Sequence, residues 1–190
     1  MPRPLAFDPA EALEQATRVF WQQGYEATSL DDLTQAMGIN RPSLYNHFGD
    51  KRSLYMQALL TYFERNSEAT RLELETSQDV RLTLRRIFEA MVSDKDARWG
   101  CLVVNAATEL GEEHQDIRDF ACKSAKANEQ MFAQVIRLGQ ERGEISQDKN
   151  AASLGKLLYN GMVAIRVRAR SGASAESLQE NVDLTLGLLD

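Results

Sequence analysis

The chain has 190 residues, 43 % apolar and 26 % charged, and its 22 basic and 28 acidic side chains give a formal net charge of −6. This describes a compact protein of one or two domains, and no run approaches the roughly 18–20 apolar residues of a membrane-spanning helix. The start lacks the pattern of a secretion signal, and two cysteines, Cys101 and Cys122, are too few for a disulfide framework or a four-ligand zinc site. We therefore expect no membrane partner, no metal, no cofactor and a cytoplasmic location.

The distribution of proline predicts the fold class. All four prolines lie within the first 42 residues, so the chain is free of proline from Ser43 onward. Proline costs about 3 kcal/mol inside a helix, and its absence among many strong helix formers is typical of a long helical array. The sequence predicts an all-α fold of about nine helices.

Two helices are predicted near the N-terminus. The first spans residues 8–23, where apolar side chains recur at three- and four-residue steps before Gly24. The second begins at Ser29, which can form a capping box with Asp32, and it ends at Gly38 because glycine accepts a left-handed conformation.

A third short helix follows almost at once. Asn40 is a good N-cap for it, and Leu44 and Phe48, four residues apart, are expected to face inward. The side chains left at the surface are unusually polar and rich in hydrogen-bond donors. They are Arg41, Pro42, Ser43, Tyr45, Asn46 and His47.

Two short helices joined by a tight turn with glycine are typical of a helix-turn-helix, whose second helix enters the major groove of DNA. Ser43 and Asn46 can donate and accept at base edges, and Arg41 can pair with guanine. Phosphates are within the expected reach of Tyr45, His47 and Lys51, and Thr28 adds a donor at the start of the second helix. In the alternative interpretation, these residues cap, turn and solvate a helical scaffold that does not bind nucleic acid.

The charge of this segment argues against DNA binding by bulk attraction. Residues 1–52 carry five basic and seven acidic side chains. A protein that binds DNA mainly through net charge is expected to be basic. The sequence therefore favours site-specific binding with little background.

The remaining helices are predicted over longer stretches. A connector helix should span residues 51–74 and lead into a second region with helices at 79–93, 98–110, 113–142, 148–171 and 175–189. We interpret residues 1–52 as a DNA-binding domain and residues 53–190 as a ligand-binding and dimerisation domain.

Three segments resemble the TetR family of bacterial transcriptional regulators: GYEATSLDDL at 24–33, AMGI at 36–39 and LYNHFGDKRSL at 44–54. The resemblance implies a homodimer that binds a palindromic operator in double-stranded DNA and is released from it by a small-molecule inducer. Most such proteins are repressors. The resemblance implies that the residues at the DNA-contacting positions of the family are Thr28, Arg41, Pro42, Ser43, Tyr45, Asn46, His47 and Lys51. Pro42, Ser43 and Asn46 depart from the commoner choices, which leaves the operator sequence open.

The last two helices carry narrow apolar stripes. Ordinary core packing would explain them, but terminal amphipathic helices of this family usually pair with those of a second copy. The predicted interface residues are Leu154, Leu157, Leu158, Gly161, Ile165, Leu178, Val182, Thr185, Leu186 and Leu189.

An apolar segment near residue 100 predicts a ligand pocket. Asn105 and Glu109 stand four residues apart within it, and buried polar groups need partners. A mostly apolar cavity with a few polar groups is typical of small-molecule sites, although plain core packing is the alternative. The predicted lining is Phe88, Met91, Trp99, Cys101, Asn105, Met131, Phe132, Tyr159 and Met162.

Three further functions are weighed against an inducible repressor. An activator of the same fold would differ only in where its operator lies. A thiol-responsive repressor could act through Cys101, because its surrounding segment resembles that of cysteine-dependent relatives. Catalysis is not expected, because His47 and His114 are the only histidines and no common catalytic or nucleotide-binding motif occurs.

Overall fold

The computed structural model describes residues 7–75 and 77–190. Sequence features within the first six residues, including Pro2 and Pro4, lie outside this range. The described residues are helical and contain no strand, which confirms the predicted fold class. The α-helices are α1 (Pro9–Gln23), α2 (Leu30–Met37), α3 (Arg41–Phe48), α4 (Lys51–Glu75), α5 (Val80–Ser93), α6 (Leu102–Leu110), α7 (Gln115–Glu141), α8 (Ala151–Arg170) and α9 (Ala175–Leu186).

The first three helices, here called the head, begin and end where their capping residues predict. The Ser29 amide donates to Asp32 Oδ2 at 2.8 Å, and the Asp32 amide donates to Ser29 Oγ at 3.1 Å, so the capping box is present. Gly38 ends α2 with φ of +65°, and Asn40 then accepts from the Ser43 amide at the start of α3. These local bonds set the turn between α2 and α3.

Two apolar clusters fill the interior. The first joins the head to the first half of α4, to α6 and to the start of α7, with Phe20, Leu33, Leu44 and Tyr55 among its fully buried side chains. The second lies among α5, α7, α8 and α9. Because the first cluster includes residues from α6 and α7, the head packs directly on the second region.

The segment around Gly100 differs from its prediction as one continuous helix. A single 3₁₀ turn over Ala97–Trp99 ends at Gly100, which has φ of +73°, and α6 starts only at Leu102. The left-handed backbone at Gly100 interrupts the helix, because a helix requires negative φ. The last predicted helix likewise finishes as a 3₁₀ turn over Gly187–Leu189.

No helix within the described ranges is both long enough and apolar enough to cross a membrane.

Candidate DNA-binding surface and small-molecule cavity

The outer face of α3 is the exposed surface of the head. Leu44 and Phe48 are buried beneath it, which fixes how the helix lies. Five of the six predicted surface residues, Arg41, Pro42, Tyr45, Asn46 and His47, are exposed, while Ser43 is half-buried. The polar side chains of this face are therefore accessible to a partner.

Arg41 is held by an exposed ion pair at the start of α3. Its Nη2 and Nε atoms donate to Asp31 Oδ1 of α2 at 2.8 and 3.2 Å, and 56 % of its side chain remains exposed. Exposed ion pairs contribute little to stability, so the guanidinium can leave Asp31 for a base or phosphate at small cost.

Aromatic contacts position the flanking donors. The His47 ring packs edge-on against the rings of Phe7 and Phe48, with centroid distances of 5.7 and 4.7 Å. Lys51 Nζ lies 4.3 Å from the centroid of the Tyr25 ring, a cation–π contact at the start of α4. These contacts restrict the positions of both side chains.

Thr28 is a correction to the predicted set. Its side chain is buried, with 1 % exposed, and its hydroxyl donates to the Gly24 carbonyl at 2.6 Å. The donor is used inside the turn between α1 and α2, where it fixes backbone geometry. Thr28 therefore shapes the head but does not present its hydroxyl to DNA.

Hydrogen bonds and ion pairs join the head to the second region. The Trp21 indole donates to the Gly100 carbonyl at 3.2 Å, and Arg52 pairs with Asp116 at the start of α7. The carboxylate of Glu109 accepts from the backbone amides of Tyr25 and Glu26 at 3.0 and 2.9 Å. Glu109 is thus the partner of the α1–α2 turn, and α6 carries it there.

A cavity of about 270 Å³ lies within the second region, between α4, α5, α6, α7 and α8. Its apolar wall includes Ile87, Met91, Val103, Val104 and Met162. Its polar wall includes Asn66, Thr70, Ser124, Asn128 and Arg166. A mostly apolar, partly open cavity with a few polar groups can hold a small organic molecule.

Four of the nine predicted pocket residues line this cavity: Met91, Cys101, Tyr159 and Met162. The other five lie elsewhere and correct the prediction. Phe88 and Phe132 are fully buried and pack on each other at 6.0 Å. Trp99 packs against Trp21, Asn105 donates to the Trp99 carbonyl at 2.9 Å, and Met131 packs on the second apolar cluster.

Sequence reasoning missed the contribution of α4 to the cavity. Tyr62, Asn66, Thr70 and Glu73 recur at three- and four-residue steps, so they share one helix face along the cavity wall. The sequence does contain a pattern that indicates this wall: along one face of α4, the side chains at three- and four-residue steps change from aromatic to polar. Arg166 of α8 was also missed, because an arginine on a helix usually faces solvent.

Burial keeps the tyrosine hydroxyls of the cavity protonated. Desolvation raises the pKa of Tyr159 to about 12, and it raises the pKa of Tyr62 further. Both hydroxyls therefore remain neutral donors at neutral pH. The Cys101 thiol lies beside the Tyr62 hydroxyl at this end of the cavity.

The predicted dimer stripe lies mostly inside the protomer, which is a further correction. Leu154, Leu158, Ile165, Leu178, Val182, Thr185, Leu186 and Leu189 are buried within the chain itself, and Gly161 approaches Thr185. Their faces are used for packing α8 and α9 against the rest of the second region. Of the ten predicted residues, Leu157 is the exposed apolar side chain. Val167 of α8, Leu184 of α9 and Leu188 of the final 3₁₀ turn are exposed as well.

No group of three His, Cys, Asp or Glu side chains suited to a metal ion occurs within 7–75 and 77–190.

Comparisons with known proteins agree with this architecture. The family described as bacterial regulatory proteins, tetR family, matches residues 12–58, and the tetracyclin repressor-like C-terminal domain matches residues 81–184. The uncharacterized HTH-type transcriptional regulator YezE of Bacillus subtilis is 31 % identical over 100 % of both chains. The HTH-type transcriptional repressor ComR of Escherichia coli is 33 % identical over 98 % of this chain and 90 % of its own length.

A solved structure is similar over the whole chain. It is a cysteine mutant of the TetR family transcriptional regulator CifR, in complex with a 26-base-pair double-strand operator. It superposes with a TM-score of 0.87 at 30 % identity, covering 99 % of this chain and 100 % of that one. The chain therefore belongs to the TetR family of bacterial regulatory proteins and is a DNA-binding transcriptional regulator.

Proposed function

We propose that this protein represses transcription as a homodimer bound to a palindromic operator, and that a small molecule entering the cavity releases it. The observation that carries the proposal is the placement of α6, whose residues line the cavity at one end and hold the head at the other. The part of the proposal that concerns DNA binding is supported by the relative named a repressor, ComR, and by the operator complex of CifR. The proposal includes no enzymatic step and assigns the protein to the cytoplasm.

The homodimer would form through the outer face of α8 and α9. Leu157 and Val167 on α8, Leu184 on α9 and Leu188 in the 3₁₀ turn after α9 are large apolar side chains left exposed by the protomer. An apolar face of this kind is typical of interfaces, and a two-fold pairing of it would present two heads to a palindrome.

Release would depend on α6. Val103 and Val104 line the cavity, and Glu109, less than two helical turns further on, holds the amides of Tyr25 and Glu26. A ligand that binds only when α6 is displaced would move the carboxylate away from the α1–α2 turn. The head would then lose its fixed position, and a population with lower operator affinity would grow.

The test measures operator binding with and without cavity occupancy. Val104→Trp would fill the cavity with a side chain attached to α6, and we expect operator affinity to fall without loss of folding. Leu60→Trp, on an exposed face of α4 outside the cavity lining, controls for the added ring. Unchanged operator affinity in a folded Val104→Trp protein would contradict the proposed release mechanism.

A thiol-responsive repressor is the second candidate, favoured by the position of Cys101 in the cavity wall beside Tyr62. An oxidant or electrophile that reached this thiol would add bulk next to α6. The operator complex should then dissociate on treatment with peroxide or an aldehyde, and Cys101→Ser should resist. An equal response of both proteins would end this candidate.

A further inference from the structure

The guanidinium of Arg166 enters the cavity without a partner. It makes no hydrogen bond or ion pair with the residues described, and its Nη1 atom is fully enclosed. Arg166 is half-buried, an arginine cannot lose its charge in a protein, and an enclosed charged N–H group without a partner is costly. An oxygen-bearing anion in the cavity would remove that cost.

A second polar group is left unpaired in the same wall. Ser124 of α7 is 3 % exposed, and its Oγ has no hydrogen-bond partner. Buried hydroxyls are usually bonded, often to the carbonyl one turn earlier on the helix. Two unpaired polar side chains from different helices therefore face one space, which points to a ligand with hydrogen-bonding oxygen atoms.

A carboxylate in the same wall favours a ligand with a single negative charge. Asp94 also lines the cavity. Its carboxylate would repel a dianion more strongly than a monoanion.

We propose that the cavity binds a small monocarboxylic acid, its carboxylate paired with Arg166 and its carbon skeleton against Ile87, Met91 and Met162. The planar fork of arginine matches a carboxylate, and the hydroxyls of Tyr62 and Tyr159 supply further donors. The cavity of about 270 Å³ is just below the usual range for drug-sized ligands, which fits a compact acid. This inference rests on the proposed function, because it names the ligand class of the same cavity.

The test compares acids with neutral compounds of the same shape. Hexanoate, octanoate and benzoate, each paired with its primary amide, are titrated into the full-length protein by calorimetry. We expect at least one acid to bind with a Kd of about 1 mM or tighter and to bind about tenfold or more tightly than its amide. Acids that bind no better than their amides, or none that bind at all, would overturn the inference.

Variants assign the effect to Arg166. Arg166→Gln should weaken binding of the acid about 10- to 100-fold, and Ser124→Ala should weaken it less. Arg168→Gln removes the same charge from an exposed position on the same helix and should change nothing. Equal loss in Arg166→Gln and Arg168→Gln would assign the effect to net charge and contradict the pairing.

The unliganded protein supplies an independent readout. Arg166→Met keeps an apolar stem and removes the unpaired charge, so we expect the Tm to rise by about 2–4 °C. A fall in Tm would mean that the guanidinium is already satisfied in the empty protein, against the inference.

Operator release separates this inference from the proposed function. An acid that binds through Arg166 but leaves the operator complex intact supports the ligand class and contradicts release. A neutral compound that binds the cavity and releases the operator equally well from the Arg166→Gln protein supports release and overturns the ligand class.

Discussion

Arg41, which we propose contacts a base, is held by an ion pair in the free protein. Asp31 holds the guanidinium in place over the start of α3, yet the pair is exposed on both sides. The side chain is thereby kept extended along the helix surface without being fixed there. Because exposed ion pairs are weak, the guanidinium can exchange Asp31 for an acceptor on DNA at small cost.

Truncation of Arg41 and truncation of Lys51 should affect DNA binding in different ways. Arg41→Ala is expected to lose about 1–3 kcal/mol of operator binding and to relax the preference at one base position. Lys51→Ala should weaken operator and scrambled duplex alike and flatten the salt dependence by about one phosphate contact. Binding isotherms on both duplexes across a salt series measure this. Equal losses from the two variants on both duplexes would contradict the assignment of roles.

Glu109 should couple stability and DNA affinity. Each Glu109 carboxylate oxygen accepts from one backbone amide, so Glu109→Gln keeps the shape but replaces one acceptor with an NH2 donor and removes the charge that strengthens the other bond. We expect a loss of about 1–3 kcal/mol in the free energy of unfolding. Operator affinity should fall as well, because the hydrogen bonds that position the head on α6 are weakened. Glu112→Gln, exposed one turn later, is the matched control. Urea unfolding and operator titration give the two values, and an unchanged affinity would remove Glu109 from the coupling.

The sequence predicted that certain polar side chains need hydrogen-bond partners, but it did not predict which partners they have. The spacing of Asn105 and Glu109 indicated that both need partners, and both have them: the Trp99 carbonyl and the α1–α2 turn. Neither partner is in the cavity, because each lies across a packing contact that local spacing does not encode. The prediction for Thr28 was wrong for the opposite reason: its hydroxyl has a local partner, because it donates to the Gly24 carbonyl within the α1–α2 turn.

At the scale of helices, local chemistry predicted most boundaries. Ser29 with Asp32, Gly38 and Asn40 act within three or four residues, so their bonds can be inferred without tertiary structure. The break at Gly100 was missed because the apolar pattern continues through it. Its cause is tertiary: the Gly100 carbonyl accepts from Trp21, and a Cβ there would meet Arg166 O at 3.2 Å.

The close approach of α7 and α8 should be sensitive to one methyl group. A Cβ on Gly155 would lie 2.7 Å from both the Ala133 amide nitrogen and the Glu129 carbonyl oxygen. Because both are backbone atoms, Gly155→Ala must separate the helices, and we expect a loss of about 1–3 kcal/mol in the free energy of unfolding. Lys156→Ala, exposed on the same turn, should stay within about 0.5 kcal/mol. Similar unfolding midpoints for both variants would contradict this prediction, because α7 and α8 would then separate at little cost.

At the scale of the molecule, the sequence left two uses open for the same apolar stripes. The inward stripe of α8 and α9 has the spacing of a dimer interface, and so does any core-facing helix. Only the fold distinguishes them, because it buries Leu158, Ile165 and Val182 against α5 and α7. The side chains left for a partner, such as Leu184, sit on the other face of the helices.

Leu184 should decide the oligomeric state. It is 75 % exposed in the protomer, so Leu184→Glu should leave folding intact and place a charge at the centre of the proposed apolar interface. Sedimentation analysis should find dimers for the unchanged protein and monomers for the variant. Leu60→Glu on α4 is the control for an equally drastic surface change. A variant that remains dimeric would move the interface to another face.

The most direct test of the account is fluorescence anisotropy of the protein on the DNA immediately upstream of its own gene, against a scrambled duplex, in about 0.1–0.2 M salt. The exposed face of α3 and the acidic net charge of the chain predict a preference of about a thousandfold or more for the upstream DNA. Equal and salt-sensitive binding to both duplexes would contradict recognition of this site and leave only contact through charge.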